Sequence, residues 1–439
     1  MQNLSTLFAA FRAHGCRSVV VKRLSANDDN RHQTYFGGSF EVLNLLPVDE
    51  ILPATSGQNG IPIFKAALNF SWLDDNGTTI EQAPGAQLIL YPQYPEVRFS
   101  GFLVRTVSKR ARLMKEQREG RYLFMGIQDD ENNRRIIGYV AGEDEAISNE
   151  FHQTHAATPA AGVFKVVDLH QGNNLQQLLH DLAVIHQHGL IPGKRLIADG
   201  SEVPCIASNC GGYTLEAELG IIPNSRSEPD YLGWEVKSYG VKNFARTGAR
   251  RITLMTPEPT GGFYREDSPQ AFVRRYGSHS TKHTDRMDFA GTHSFEKPNP
   301  RSGLTLQLQG YDKAESKITD SAGCVALIDG SGIVAASWDF AGLLKHWNRK
   351  HNQAVYVPSL RPKGTSSYYY SNIVSTAEGT DFLKLIGGFA AGAVFYDPGI
   401  KVENISTSPK AHLRSQFRIL SRNLPSLYHT MTRHDLTSL

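Results

Sequence analysis

The chain has 439 residues, 40% of them apolar and 20% charged, with a formal net charge of +3. That is too long for one ordinary core, so two domains are expected, and the composition is globular rather than disordered, fibrous or membrane-spanning. So small a net charge decides nothing about nucleic acid; where the basic residues gather matters more. The longest apolar run, 385–396, is glycine-broken and too short to cross a bilayer, and the N-terminus lacks a secretory pattern. No membrane partner is therefore expected. The cysteines Cys16, Cys205, Cys210 and Cys324 complete no zinc site and read as reduced thiols of a bacterial or archaeal cytoplasm.

In chain order, Leu7, Phe8 and Phe11 predict a short apolar helix, and Ser18–Leu24 a strand. A polar arm follows, through Ser25, Asn27, Arg31, His32 and Gln33. Further strands are expected at 63–70, 87–91, 121–126 and 136–141, so residues 1–155 read as a β-rich barrel or sandwich. This part holds the densest basic run: Arg105, Lys109, Arg110, Arg112, Lys115, Arg118 and Arg121 against Glu116 and Glu119. It is either a solvated loop or the second of two arms clamping DNA, with phosphates anchored by Arg and Lys and base edges read in the major groove.

The stretch Lys22-Arg23-Leu24-Ser25-Ala26-Asn27-Asp28, with His32-Gln33 after it, resembles the N-terminal effector domain of EcoRII-type restriction endonucleases. The resemblance implies a DNA-binding pseudobarrel of the plant transcription factor type, reading duplex DNA with two arms. Lys22, Arg23, Ser25, Asn27, Arg31, His32 and Gln33 would belong to the first arm. The second would fall within 98–121 and include Arg105, Lys109, Arg110 and Arg112.

Residues 143–162 read as a connector, with the linker proper at 156–164 and a second domain at 165–439. Leu175, Leu178, Leu179 and Leu182 give an amphipathic helix, capped by Asn173 or Asn174 and closed at Gly189. Thr214 is a candidate start for the next helix, which would put Glu216 on its first turn and leave Glu218 solvated. The second domain is organised around Pro229-Asp230-Tyr231-Leu232-Gly233-Trp234-Glu235-Val236-Lys237. Two residues apart on a strand, Glu235 and Lys237 share one face, while Val236 points into a core. Asp230 can fold back over that face through Gly233. Two converging carboxylates make an oxygen site for a hard divalent cation, Mg²⁺ by preference, and a lysine beside them can orient water or stabilise developing charge. Taken alone, such a pattern also arises by chance on a solvated strand.

The stretch from Thr214 to Lys237 resembles the MvaI/BcnI family of restriction endonucleases, related in fold to the repair nickase MutH. The likeness continues through Gly261-Gly262-Phe263-Tyr264-Arg265, Phe272-Val273-Arg274-Arg275-Tyr276-Gly277, Ala336-Ser337-Trp338, His346-Trp347 and Arg414-Ser415-Gln416-Phe417-Arg418. What it implies is a single-chain PD-(D/E)xK nuclease, α/β with a mixed central sheet, cutting CC-N-GG-type sites with Mg²⁺. Asp230, Glu235 and Lys237 match the catalytic motif, and Glu216 matches the glutamate before it. The metal would sit on Asp230, Glu235 and the Val236 carbonyl. Both resemblances together imply a Type II enzyme for CC(A/T)GG, monomeric and able to engage two DNA sites.

Other clusters are weaker. His279, His283 and His293 lack a metal-ligand context and read as groove-lining with Lys282 and Arg286. Lys242, Arg246, Arg250 and Arg251 form an acid-free stretch after the catalytic strand, either solvated or contacting phosphate. On one strand through 410–419, His412, Arg414, Gln416 and Arg418 would share a face, reading guanines or bridging within the fold. Arg274 and Arg275 are further DNA-contact candidates. The rival functions are a MutH-type nickase and a DNA-binding regulator without catalysis; plasmid incubated with Mg²⁺ separates them.

Overall fold

The run Ser18-Val19-Val20-Val21 is β-branched enough to sit buried on both sides, and it does: Ser18–Leu24 pairs antiparallel with Arg121–Asp129 on one edge and Phe164–Asp168 on the other. In this computed structural model the chain divides into two units, Met1–Gly172 and Asn173–Leu439. All residues are described except 27–32, 58–59, 130–133, 170–172, 208, 223–228 and 439, together with the side chain of Arg349.

The first unit holds two sheets. One has seven strands in the order Ala160–Ala161, Phe164–Asp168, Ser18–Leu24, Arg121–Asp129, Arg134–Ala141, Phe70–Leu73 and Ile80–Gln82. The other has five: Thr34–Gly37, Glu96–Ser100, Gln87–Tyr91, Ile61–Ala67 and Ile51–Ser56. Neither order returns to its first strand, so among the described residues no closed barrel forms. Phe36 joins the two sheets, stacked on Phe99 at 5.0 Å and meeting Phe164 edge-on at 5.1 Å. Leu7, Phe11, Val19, Phe124, Ile137 and Phe151 belong to one buried cluster, which ties the helix Leu4–Ala13 to the larger sheet.

Three expectations need correction here. The strand expected at 63–70 is two strands, Ile61–Ala67 and Phe70–Leu73, because the chain changes sheet at Leu68-Asn69. The connector at 143–162 contains a helix, Ala146–Thr154, whose Ile147 and Phe151 pack in the core. Its polar surface residues masked that apolar pair. The unit boundary also falls later than 156–164, since Phe164–Asp168 is an inner strand of the first unit.

The second unit is built on a mixed six-stranded sheet. Gln353–Leu360 lies in its middle, antiparallel to Ser367–Tyr370 and Ile373–Glu378 and parallel to Glu235–Val241. A parallel partner needs a crossover, and the long excursion 242–352 supplies it, ending in the helix Phe340–His351. The helix Asn174–Gln187 is capped by Asn173, whose Oδ1 accepts from the Gln176 N–H at 3.1 Å. Leu178, Leu179 and Leu182 bury its apolar stripe in one cluster with Leu215, Val236, Val355 and Val357. Trp338, Phe340, Leu343, Leu344 and Trp347 are core residues, as their pattern suggests.

The segment 410–419 is not one strand. Lys410–His412 and Phe417–Leu420 belong to different sheets, and the buried Ser415 between them donates to the Pro257 carbonyl at 2.5 Å. Cys205 and Cys210 are not free thiols but a disulfide, with Cα atoms 5.7 Å apart. It closes a short loop at the start of the helix Cys210–Glu218.

Candidate active site

Three elements bring the acidic residues together. Among the described residues the strand Glu235–Val241 pairs with the central strand only, so no strand covers its other edge. Just before it the chain doubles back in a tight turn, with the Tyr231 and Trp234 backbones bonded both ways at 3.0 and 2.8 Å. Both central residues have positive φ, 51° at Leu232 and 84° at Gly233. Glycine takes that conformation freely; Leu232 is strained in it, the kind of strain found beside functional sites. Tyr231 anchors the turn by donating to Asp181 Oδ2 at 2.8 Å. Asp230 is thereby returned alongside the strand, and its Oδ2 accepts from the Val236 N–H at 3.2 Å. Within an extended strand the N–H and C=O of one residue point to the same edge, so the Val236 carbonyl faces the Asp230 side.

Glu216 arrives from the helix Cys210–Glu218, which begins four residues before Thr214. Thr214 is therefore not the helix start but a buried mid-helix residue, its hydroxyl accepting from the Lys194 N–H at 3.1 Å. Gly211 permits the close approach, since a Cβ there would meet Ser359 Oγ at 3.0 Å and the Tyr368 ring at 3.2 Å. Glu218 is not solvated: its side chain is mostly buried and pairs with Lys194 at 2.7 Å and His188 at 3.2 Å.

The charges are strongly coupled. Glu235 is 0% exposed, and burial pushes its carboxyl up to about 7, against the pull of Lys237 and Lys350. Burial, then the Asp230 carboxylate, also raises Glu216. Burial works against the Lys237 ammonium, but Glu235, Asp230 and Glu216 outweigh it and the pKa rises. Lys237 pairs directly with Glu235 Oε1. Neither Glu235 oxygen receives a well-aligned hydrogen bond. A further lysine, Lys350 at the end of the helix Phe340–His351, lies 3.3 Å from Glu235 Oε2 and 3.8 Å from Asp230 Oδ1. The sequence motif does not reveal it; its only signal is a helix running into the strand parallel to the motif. His351 beside it is fully buried, and burial, then Lys237 and Lys350, keep its ring neutral.

Of these groups Glu216, Val236 and Lys237 line a cleft of about 520 Å³, together with Arg250, Arg251, Arg361, Arg414 and Arg418, whereas Asp230, Glu235 and Lys350 are not among its lining residues. Arg418 and Arg251 also pair with Asp397, at 2.7 and 3.1 Å. Lys242 and Arg246 are exposed on the loop after the strand Glu235–Val241. Other candidates lie outside the cleft lining. Arg274 donates to the Ile405 carbonyl at 2.8 Å, Arg275 pairs with Asp329 and stacks on Phe263 and Tyr276, and His412 pairs with Glu403 at 3.1 Å. His293 is buried between Gly291 and Ser302 rather than groove-lining, and burial pushes its pKa down to about 4.

In the first unit, Lys22, Ser25, Gln33, Tyr35, Arg98 and Arg121 line a cavity of about 230 Å³, and burial lowers the Lys22 pKa. Arg23 lines a different cavity, with Tyr122, Phe151 and His152. Arg105, Lys109 and Arg112 are exposed. Arg110 is held by Asp75 and Glu145 and stacks on Tyr139 at 4.5 Å. Asn27, Arg31 and His32 lie outside the described residues.

No helix among the described residues is long and apolar enough to cross a membrane. Among solved structures, a complex of the restriction endonuclease MvaI with its cognate DNA substrate is 15% identical over 60% of this chain and 99% of that chain, with a TM-score of 0.45. MvaI in the absence of DNA is 14% identical over the same shares, with a TM-score of 0.33. No curated protein matches the chain significantly. Residues 179–428, more than half of the chain, match the MvaI/BcnI restriction endonuclease family, and the chain belongs to that family of Type II restriction endonucleases.

Proposed function

We propose that this enzyme hydrolyses phosphodiester bonds in duplex DNA at a CC-N-GG-type site, CC(A/T)GG being the expected sequence, with Mg²⁺ held by Asp230, Glu235 and the Val236 carbonyl. The observation that supports the reading is the convergence of Asp230, Glu235 and Lys237 on one strand, with Lys237 and Val236 also lining an arginine-rich cleft. The donor set fits such an ion. Glu235 offers buried oxygens that lack aligned donors, and Mg²⁺ needs only one or two carboxylates when substrate phosphate and water complete its shell. When bound, the ion would polarise the scissile phosphate and stabilise the leaving oxygen.

The chain's own groups do the rest. Asp230 is oriented by the Val236 N–H. Lys237, on the same strand face as Glu235, would orient the attacking water and balance developing charge. Glu216 adds negative charge beside them. Arg414, and Arg250 on the cleft wall, would take phosphates or guanine edges.

The first unit is read as an effector of the pseudobarrel type, a second reader of DNA through Lys22, Arg23, Ser25, Asn27, Arg31, His32 and Gln33 and through Arg105, Lys109 and Arg112. Two readers on one chain raise the local concentration of one site for the other to about the millimolar range when the tether is short. A monomer engaging two sites should then cut a two-site plasmid faster than a one-site plasmid. The test is digestion of plasmids carrying no, one or two CC(A/T)GG sites with Mg²⁺, followed by end mapping. Cuts mapping elsewhere would sink the site assignment, nicks alone would favour the nickase, and equal rates on one and two sites would sink the effector role.

A further inference from the structure

The helix Phe340–His351 ends beside the catalytic strand, and that end is fixed. The buried Trp347 indole donates to Thr380 Oγ1 at 3.1 Å, and the His351 ring stacks on Trp347 with centroids 4.3 Å apart. From this anchored turn Lys350 extends a flexible four-carbon stem. Its ammonium settles between Glu235 Oε2, at 3.3 Å, and Asp230 Oδ1, at 3.8 Å. Lys237 takes the other Glu235 oxygen. The two carboxylates assigned to the metal therefore already share a cation supplied by the chain.

The physical need is plain. Glu235 is 0% exposed, and a buried carboxylate without a counter-charge is strongly disfavoured; a second carboxylate converging on it adds repulsion. Lys350 relieves both. A divalent ion would use the oxygens that Lys350 now faces, Glu235 Oε2 and Asp230 Oδ1, and an ammonium between them repels it. The Lys350 side chain is 23% exposed, so it is not locked in place. We propose that Lys350 is a positioning residue that holds Asp230 and Glu235 together before metal arrives and competes with the metal for them, so that metal entry requires the lysine to withdraw. This rests on the metal reading given above.

The test is Mn²⁺ binding to the full-length protein without DNA, at pH 8, followed by the paramagnetic resonance signal of free Mn²⁺, with thermal melting in parallel. Lys350→Met should bind Mn²⁺ about tenfold tighter than wild type, within the usual range of coupling between two ligands of one site. Its metal-free melting temperature should fall and be restored by Mn²⁺. Lys350→Arg, which keeps the charge, should bind as wild type does. Lys350→Gln carries the same expectation as the Met variant should that one not fold. Binding no tighter in the neutral variants would overturn the proposal. Asp230→Asn separates the two readings. Weakened binding there, with Lys350→Met no tighter, sinks the lysine alone. Undiminished binding in Asp230→Asn sinks the metal assignment and the lysine with it.

Discussion

Each unit fixes cations inside its fold or at its edge, and the two do so with opposite chemistry. In the first, Arg121 is 1% exposed and is satisfied by carbonyls alone: Arg118 at 2.7 Å, Ser25 at 3.0 Å and Leu113. Burial lowers its pKa, only partly opposed by Glu116. It fastens the end of the strand Ser18–Leu24, where the first polar arm begins, to the 113–118 segment of the basic run. In the second unit Lys237 and Lys350 face carboxylates, with Glu235 wholly buried between them. Carbonyl dipoles hold a guanidinium permanently, because nothing else competes for them. Carboxylates hold an ammonium only until a better cation or an anionic substrate arrives. One arrangement is a rivet and the other an exchange site.

Substitutions can break this contrast. The largest effect should come from Lys237→Ala, which on the proposed reading removes a charge at the reacting phosphate. Cleavage should fall by about 10²–10³, the loss seen when one preorganised electrostatic contact is deleted, while cognate DNA binding in Ca²⁺ survives. Turnover equal to wild type would reduce Lys237 to a structural counter-ion. Arg121→Met should lower stability by about 3 kcal/mol by leaving buried carbonyls without donors, a loss read by thermal or urea unfolding. On the proposed effector reading, DNA binding should weaken with it. If stability is unchanged, Arg121 is no rivet.

The pH dependence sharpens the exchange-site half. On the proposed reading Glu235, pushed up to about 7, must lose its proton to hold metal, so the cleavage rate at low Mg²⁺ should rise roughly tenfold per pH unit below 7 and level off above. Raising Mg²⁺ should move that limb to lower pH, because metal and proton compete for one carboxylate. The stability sign is the reverse. A folded pKa raised from 4.5 to about 7 stabilises the metal-free protein fully below 4.5, and that contribution is lost as pH rises through 7. A rate limb insensitive to Mg²⁺ would argue against Glu235 as ligand. The smallest effect belongs to the disulfide. Cys205→Ser should cost about 2 kcal/mol, as expected for so short a loop, and loosen the start of the helix bearing Glu216. Equal melting temperatures with and without reductant would show that the bridge contributes nothing.

The geometry of the 230–237 stretch was legible because strand alternation puts Glu235 and Lys237 on one face and because Gly233 announces the reversal that returns Asp230. The helix Asn174–Gln187 was legible from its leucine spacing and cap. Lys350 was not, since it reaches the site through a parallel pairing: Glu235 lies opposite Ala354, a short turn beyond the helix end. Local pattern cannot report which distant strand will lie alongside. The basic run was legible only in part, for another reason. Arg105, Lys109 and Arg112 are exposed, whereas Arg110 and Arg121, written in the same letters, are tied into the fold. Charge density along a chain does not separate a reader of phosphate from a strut. The helix Ala146–Thr154 hid because only Ile147 and Phe151 show its buried side.

The central claim is that Asp230 and Glu235 form the cutting centre and do not merely stabilise the strand. It is tested most directly by Asp230→Asn, assayed for cleavage with Mg²⁺ and for cognate binding with Ca²⁺ on one CC(A/T)GG duplex. Loss of cleavage by at least about a hundredfold with binding and melting temperature preserved is the predicted result. Cleavage near the wild-type rate would contradict it.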